Sequence, residues 1–67
     1  MSDNLALSKL TSALIEIRGK NKIEDKDIVY LTNLLAAYTR DPNSTEEARL
    51  YVSMELDGIR AKFAEQE

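Results

Sequence analysis

Apolar residues recur every three or four positions in three separate stretches of the chain, a spacing that is typical of helices with one buried face. In the first stretch they are Leu7, Leu10, Leu14 and Ile17, with Ala6 and Ala13 beside them. We predict a helix over about residues 4–18. Ser2, Asp3 or Asn4 can supply its N-cap oxygen. Gly19 can end it in the left-handed conformation.

The second stretch carries apolar residues at the same spacing: Ile28, Leu31, Leu34, Leu35 and Tyr38. We predict a helix over about residues 25–40. Ile23, just before it, has the spacing of a hydrophobic staple to Ile28. Pro42 disfavours helix in the residue before it, so we expect the chain to turn there.

The third stretch places one apolar face on Ala48, Val52, Leu56, Ile59 and Phe63. Ser44 and Glu47 have the spacing of a capping box, so we predict a helix over about residues 45–64. Gly58 weakens this helix by about 1 kcal/mol relative to alanine and can allow a close helix crossing. We expect the polar end, residues 64–67, to fray.

The joints between the predicted helices are short, which favours antiparallel neighbours. We therefore predict an all-α fold, a compact three-helix bundle with up-down-up topology, with residues 1–67 as a single domain. A chain of 67 residues buries only about 60% of the surface that its unfolded form exposes. Its core is therefore marginal, and dimerisation is one way to complete it.

A second, smaller apolar strip lies opposite the buried face of the third predicted helix. At steps of about 100° per residue, Leu50, Met54 and Ala61 share this outward face. Tyr51 lies on its flank. Other apolar residues fall off the buried faces of the first two helices: Leu5, Ile15, Val29 and Ala36.

Three interpretations of these outward residues remain open. They are scattered surface or part of a broad core, or a self-association surface of a homodimer, or a face that binds a different protein, with Met54 as an adaptable contact. We predict association, and the residues that we expect to carry it are Leu50, Tyr51, Met54 and Ala61.

The missing residue types restrict the chemistry. The chain has neither cysteine nor histidine, which excludes disulfides, thiolate or imidazole metal sites, and Ser–His or Cys–His catalysis. The carboxylates at positions 24, 25, 27, 46 and 47 suit the positive ends of helix dipoles. We expect Glu55 and Asp57 to be solvated. We therefore predict no enzyme activity, no cofactor and no metal.

One fragment of the third predicted helix resembles a known signature. Ser53-Met54-Glu55-Leu56-Asp57, followed by Ile59, is similar to the Ser-Gln-Glu-Leu-Asp signature of small sporulation-control phosphatases. Those proteins are helical hairpins that remove phosphate from the aspartyl-phosphate of response regulators. The resemblance covers about six residues; Met54 replaces the glutamine, and this chain has an additional first helix. It implies, as an alternative function, that Asp57 is the functional acid and that a phosphorylated signalling domain is the partner.

A helix-turn-helix is a further alternative. The joint at residues 41–43 has a suitable length, and the third helix would then enter the major groove of DNA. Its first turn would present Glu46 and Glu47 to phosphates, with Arg49 alone to compensate. The one basic concentration is explained by a helix end and a solvated loop; it consists of Arg18, Lys20, Lys22 and Lys26. With a net charge of −3, we predict no nucleic-acid binding.

The hydropathy pattern bears on membranes and location. No stretch approaches the roughly 20 apolar residues of a membrane span. The polar start, residues 1–4, lacks the basic segment and apolar run of a secretory signal. We predict a soluble cytoplasmic protein that binds no membrane. Its predicted function is that of a small non-catalytic regulator, adaptor or inhibitor, which binds another protein or itself through apolar helix faces.

Overall fold

Three α-helices make up most of the part of the chain that the computed structural model describes, residues 5–66. They are α1 (Leu5–Arg18), α2 (Asp25–Thr39) and α3 (Glu46–Glu65). The prediction of an all-α three-helix bundle is confirmed. The N-cap predicted at Ser2, Asp3 or Asn4 lies outside the described residues.

Each helix packs against both of the others, and the bundle measures 41 × 18 × 15 Å. The Lys62 Nζ near the end of α3 donates to the carbonyl oxygen of Arg18 at the end of α1, at 3.1 Å, so these two helices run in the same direction. At the opposite end, the Tyr38 hydroxyl of α2 accepts from the N–H of Thr45 before α3, at 3.2 Å. Helix α2 therefore runs antiparallel to both neighbours, which is the up-down-up order.

The apolar faces of the three helices form one core, closed within a single chain. Its buried apolar residues are Leu10, Ala13, Leu14, Ile17, Ile23, Leu31, Tyr38, Val52, Leu56 and Ile59. Half-buried residues pack against them: Ala6, Leu7, Ile28, Leu34, Leu35, Ala48 and Phe63. Every residue predicted for a buried helix face belongs to one of these two sets. Ile23, predicted only as part of a hydrophobic staple, lies in the joint between α1 and α2 and is fully buried in the core.

Helix α1 ends without the left-handed glycine that the sequence predicted. Gly19 has no positive φ, and its N–H donates to the carbonyl oxygen of Ile15 at 3.2 Å, as in a continuing helix. The carbonyl oxygens of Arg18 and Lys20 accept from the Lys62 Nζ of α3, at 3.1 and 3.3 Å. The prediction is wrong because a lysine far away in sequence satisfies the end of the helix.

Thr45, and not Ser44, caps the start of α3. The Thr45 Oγ1 accepts from the N–H of Ala48 at 3.1 Å. The Ser44 Oγ accepts instead from the Arg49 guanidinium at 2.8 Å. The predicted capping box of Ser44 and Glu47 is therefore wrong, and the N-cap lies one position later at Thr45, whose N–H donates to the buried Tyr38 hydroxyl.

Gln66 fastens the joint between α1 and α2. Its Oε1 accepts from the N–H of Ile23 at 2.7 Å, and its Nε2 donates to the Ile23 carbonyl oxygen at 2.8 Å. Because Ile23 is buried, its backbone groups need such partners. Of the residues expected to fray, Ala64 and Glu65 lie within α3, and the side chain of Gln66 is bonded to Ile23; Glu67 lies outside the described residues.

An ion pair closes the same joint. Asp27 is 8% exposed, and its Oδ2 accepts from the Lys20 Nζ at 2.7 Å and from the Glu24 N–H at 2.9 Å. The hydrogen bond from Lys20, together with that from the Glu24 backbone, lowers the pKa of Asp27. The same hydrogen bond to Asp27 raises the pKa of Lys20. The sequence assigned Asp27 only to the helix dipole, so its burial and its pairing are additional findings.

Gly58 faces open space. A Cβ atom at this position would meet no atom within 4 Å outside its own helical surroundings. The expectation of a close crossing at Gly58 is therefore wrong for the packing of α3 within residues 5–66.

Candidate interaction surface

The outward face of α3 carries the residues that the sequence assigns to association. Leu50 and Met54 are 62% and 63% exposed, and Tyr51 is 58% exposed. Ala61 is exposed as well. At about 100° per residue, Leu50, Met54 and Ala61 lie within about 40° of one another, opposite the buried face of α3. We call these three residues the outer strip; Tyr51 lies on its flank.

Four carboxylates border the outer strip. The sector of α3 that contains it, about 100° wide, carries Glu46, Glu47, Asp57 and Glu65 and no lysine or arginine. Within residues 5–66, Asp57 alone among the four has a cation within 4 Å, the Arg60 guanidinium at 3.8 Å. The outer strip therefore combines apolar surface with four exposed carboxylates, of which Asp57 alone is paired with a cation within residues 5–66.

The cations of α3 lie on its sides and bond neighbouring elements. The Arg49 guanidinium donates to the Ser44 Oγ at 2.8 Å. The Arg60 guanidinium donates to the Thr32 Oγ1 of α2 at 3.1 Å. Lys62 holds the joint after α1. These positive charges help to assemble the bundle, and of the three Arg60 alone also reaches a carboxylate at the border of the outer strip, Asp57.

The phosphatase-like fragment divides between two faces of α3. Leu56 is buried in the core, and Ser53 is half-buried. The side chain of Asp57 is 72% exposed at the border of the outer strip. Glu55 is half-buried and pairs with Arg18 at 2.6 Å, so the expectation that it is merely solvated is wrong. Asp57 is thus accessible to a partner, whereas Glu55 joins α3 to α1.

The charges relevant to DNA binding are arranged unfavourably for phosphate contacts. Most of the basic concentration is paired within the chain: Arg18 with Glu55, Lys20 with Asp27, and Lys26 with Glu24. The first turn of α3 exposes Glu46 and Glu47. A groove-binding α3 would bring these two carboxylates to the phosphate backbone, where attraction requires cations.

A groove between α1 and α2 is a feature that the sequence did not predict. It has a volume of about 260 Å³ and is lined by Leu5, Ala6, Lys9, Leu34 and Ala37. A second pocket shares Leu5 and Lys9 with it and is also lined by Ser8, Ser12, Ala13, Glu16 and Tyr30. The pattern indicated Leu5 as an outward residue. The apolar pattern does not indicate Tyr30 as a residue that lines a pocket, because its position beside α1 depends on how the two helices pack.

Residues 5–66 contain no group of three or more acidic, histidine or cysteine side chains placed to hold a metal ion. Nor does that part of the chain include a helix with the length and apolar character needed to cross a membrane. The sequence matches no known protein family, and neither a curated protein nor a solved structure matches the chain.

Proposed function

We propose that this protein is a small non-catalytic interaction module, which binds another protein or a second copy of itself through the outer strip of α3. A regulator, adaptor or inhibitor of a larger partner works in this way. The observation that carries the proposal is the exposure of Leu50 and Met54, one turn apart on a single face of α3.

Apolar area in this position provides free energy for association. Burying a leucine or methionine side chain contributes about 1.5–3 kcal/mol relative to leaving it in water. The flexible thioether of Met54 adapts to the shape of a partner. Tyr51, on the flank, offers a ring for apolar contact and a hydroxyl that can stay hydrated at the edge of an interface.

The residue types support a function without covalent chemistry. The whole sequence lacks histidine and cysteine, which excludes nucleophilic catalysis by a Ser–His or Cys–His pair. A protein of this composition acts more readily by occupying a surface of its partner than by converting a substrate.

Matched double variants test the proposal. Leu50→Ser with Met54→Ser removes apolar area from the outer strip without adding charge. Leu5→Ser with Ile15→Ser removes comparable area from α1, where the two side chains are 69% and 65% exposed. We expect both variants to keep the helical circular dichroism spectrum of the wild type, because none of the four side chains is buried.

Two measurements compare these variants with the wild type. Light scattering after size exclusion, over a concentration range of about a hundredfold, measures self-association. Quantitative mass spectrometry of proteins retained from an extract of the native cells measures capture of a partner. We expect association of one kind or the other to be lost in the outer-strip variant and kept in the α1 variant. If neither kind depends on Leu50 and Met54, the proposal is wrong.

The exposure of Asp57 at the border of the outer strip favours one alternative, a phosphatase-like regulator that acts on the aspartyl-phosphate of a response regulator. Under this alternative, the wild type accelerates dephosphorylation of a phosphorylated receiver domain. Asp57→Asn abolishes that acceleration and leaves helicity unchanged. A wild-type rate equal to that of the buffer control excludes the alternative.

A further inference from the structure

The border of the outer strip indicates what kind of surface fits it. Carboxylates stand on both sides: Glu46 and Asp57 along one edge, Glu47 and Glu65 along the other. They extend from the first turn of α3 to its last, a distance of about 28 Å at 1.5 Å per residue. An occupant of the strip therefore meets apolar side chains along its centre and negative charge along both edges.

We propose that the outer strip binds a basic amphipathic helix of another protein. The apolar residues of such a helix recur every three or four positions and pack on Leu50, Met54 and Ala61. Lysine or arginine at its flanking positions then faces the bordering carboxylates, which is the charge complementarity that sets specificity and speeds encounter. This inference rests on the proposed function and adds the chemistry of the partner.

Small residues in and beside part of the outer strip favour a helix as its binding partner. Ala61 is exposed in the second half of α3, and the neighbouring Gly58 has open space around it. Small residues allow the backbone of a second helix to approach closely. The larger Leu50 and Met54, in the first half, provide the apolar anchors.

A second copy of this chain fits the strip poorly. Two outer strips placed face to face would bring the bordering carboxylates of both copies together, and juxtaposed like charges oppose association. Of the cations of α3, Arg60 alone pairs with one of these carboxylates, Asp57 at 3.8 Å. Arg49 and Lys62 bond neighbouring elements instead. The core does not call for a second copy either, since Leu31 and Val52 are 0% exposed within one chain. The same carboxylates repel an anionic lipid surface.

Two synthetic peptides probe the partner chemistry. The first has about 18 residues, with leucine at every third and fourth position and lysine at the flanking positions. The second has glutamine in place of each lysine. Binding of each labelled peptide to the full chain is measured by fluorescence anisotropy at several salt concentrations. We expect the lysine peptide to bind about tenfold more tightly or better at low salt, and its advantage to shrink as salt is added.

Matched charge variants locate the negative border. Asp57→Asn with Glu65→Gln removes two charges beside the outer strip, and Glu16→Gln with Asp25→Asn removes two exposed charges elsewhere. We expect the first pair to weaken binding of the lysine peptide about fivefold or more, and the second pair to change it less than about twofold.

Matched apolar variants locate the centre of the site. Leu50→Ser with Met54→Ser is expected to weaken binding of the lysine peptide about tenfold or more, since anchors at the middle of an interface carry most of its free energy. Leu5→Ser with Ile15→Ser is expected to leave the affinity within about twofold of the wild type.

The possible outcomes separate this inference from the proposed function. Equal binding of both peptides, lost with Leu50→Ser and Met54→Ser, would overturn the basic partner and leave the interaction surface standing. A wild-type dimer that dissociates in the outer-strip variant would also overturn it, in favour of a second copy. If both charge pairs weaken the lysine peptide equally and the outer-strip variant does not, the peptide senses net charge alone, and both proposals fail.

Discussion

The inner and outer faces of α3 place similar apolar side chains in opposite surroundings. Leu56 on the inner face is 1% exposed, and Leu50 on the outer face is 62% exposed, although both are leucines of one helix. The inner face builds the core together with α1 and α2. Nothing in residues 5–66 removes the outer face from water. Helix α3 thus carries more apolar surface than the fold buries, and the excess is concentrated on one side.

The polar residues of the two faces differ in the same way. Towards the rest of the bundle, Lys62 bonds the backbone at the end of α1, and Gln66 bonds the backbone of the joint between α1 and α2. On the outer side, Glu47 and Glu65 lie within 4 Å of no cation in the described part of the chain. Inner polar groups thus hold the fold together, whereas outer ones remain available to a partner.

Leu56→Ala tests the inner face and should have the largest effect. Truncating a fully buried leucine removes apolar contacts and leaves a cavity, at a cost of about 2–5 kcal/mol in the free energy of unfolding. Urea unfolding followed by circular dichroism measures this loss. In so small a domain, a variant that is already unfolded without urea also fits the expectation. A loss below about 1 kcal/mol would contradict the central place of Leu56 in the core.

Gln66→Ala tests whether the end of α3 holds the joint. The substitution removes two hydrogen bonds to Ile23, and we expect a loss of about 1–3 kcal/mol in the free energy of unfolding. Hydrogen exchange of the Ile23 amide, followed by NMR, should accelerate. Glu65→Ala, one residue earlier on the outer side, is the control and should change stability by less than about 0.5 kcal/mol. If the two variants have equal effects, the hydrogen bonds from Gln66 to Ile23 do not stabilise the joint.

The Lys20–Asp27 pair makes stability depend on pH at the same joint. The folded state lowers the pKa of Asp27 from its ordinary 3.8. The ionised carboxylate therefore contributes fully to the free energy of unfolding above that pH, and this contribution is lost as the pH falls below it. The folded state raises the pKa of Lys20 from its ordinary 10.5. The charged ammonium therefore contributes fully to the free energy of unfolding below that pH, and this contribution is lost as the pH rises above it.

Urea unfolding between acidic and alkaline pH checks this window. We expect Asp27→Asn to flatten the acid side of the stability profile. Asp57→Asn, on the outer face, should leave the shape of that profile unchanged. If the two variants alter the profile equally, Asp27 is not the group that causes the loss of stability at acidic pH.

Gly58→Ala should stabilise the chain by up to about 1 kcal/mol, because alanine has the higher helix propensity and the added methyl group meets open space. Thermal unfolding measures the effect. A destabilised variant would mean that α3 has a close neighbour at Gly58 in solution, and the surface assigned to a partner would then already be covered.

The features that the sequence predicted are those that depend on local periodicity. A spacing of three and four residues placed Leu10, Leu31 and Leu56 on buried faces, and the same arithmetic placed Leu50 and Met54 on the opposite side of α3. Both sets follow from the turn of a single helix, so no knowledge of the neighbouring helices was required.

The features that the sequence did not predict depend on residues far apart along the chain. Gln66 bonds Ile23, and Lys62 takes the role expected of Gly19. The pocket lined by Tyr30 likewise needs α1 beside α2. Such contacts follow from the register in which whole helices pack, and short-range patterns do not contain that register.

The outer face should give the smallest change in stability. Leu50→Ala with Met54→Ala removes exposed side chains and introduces a strong helix former, so we expect the free energy of unfolding to stay within about 0.5 kcal/mol of the wild type. Urea unfolding measures it beside binding of the lysine peptide, which should be lost. A loss above about 1 kcal/mol would mean that these side chains support the fold of the free chain. Unchanged stability with lost binding would instead separate the two faces of α3, with the inner one needed for folding and the outer one for a partner.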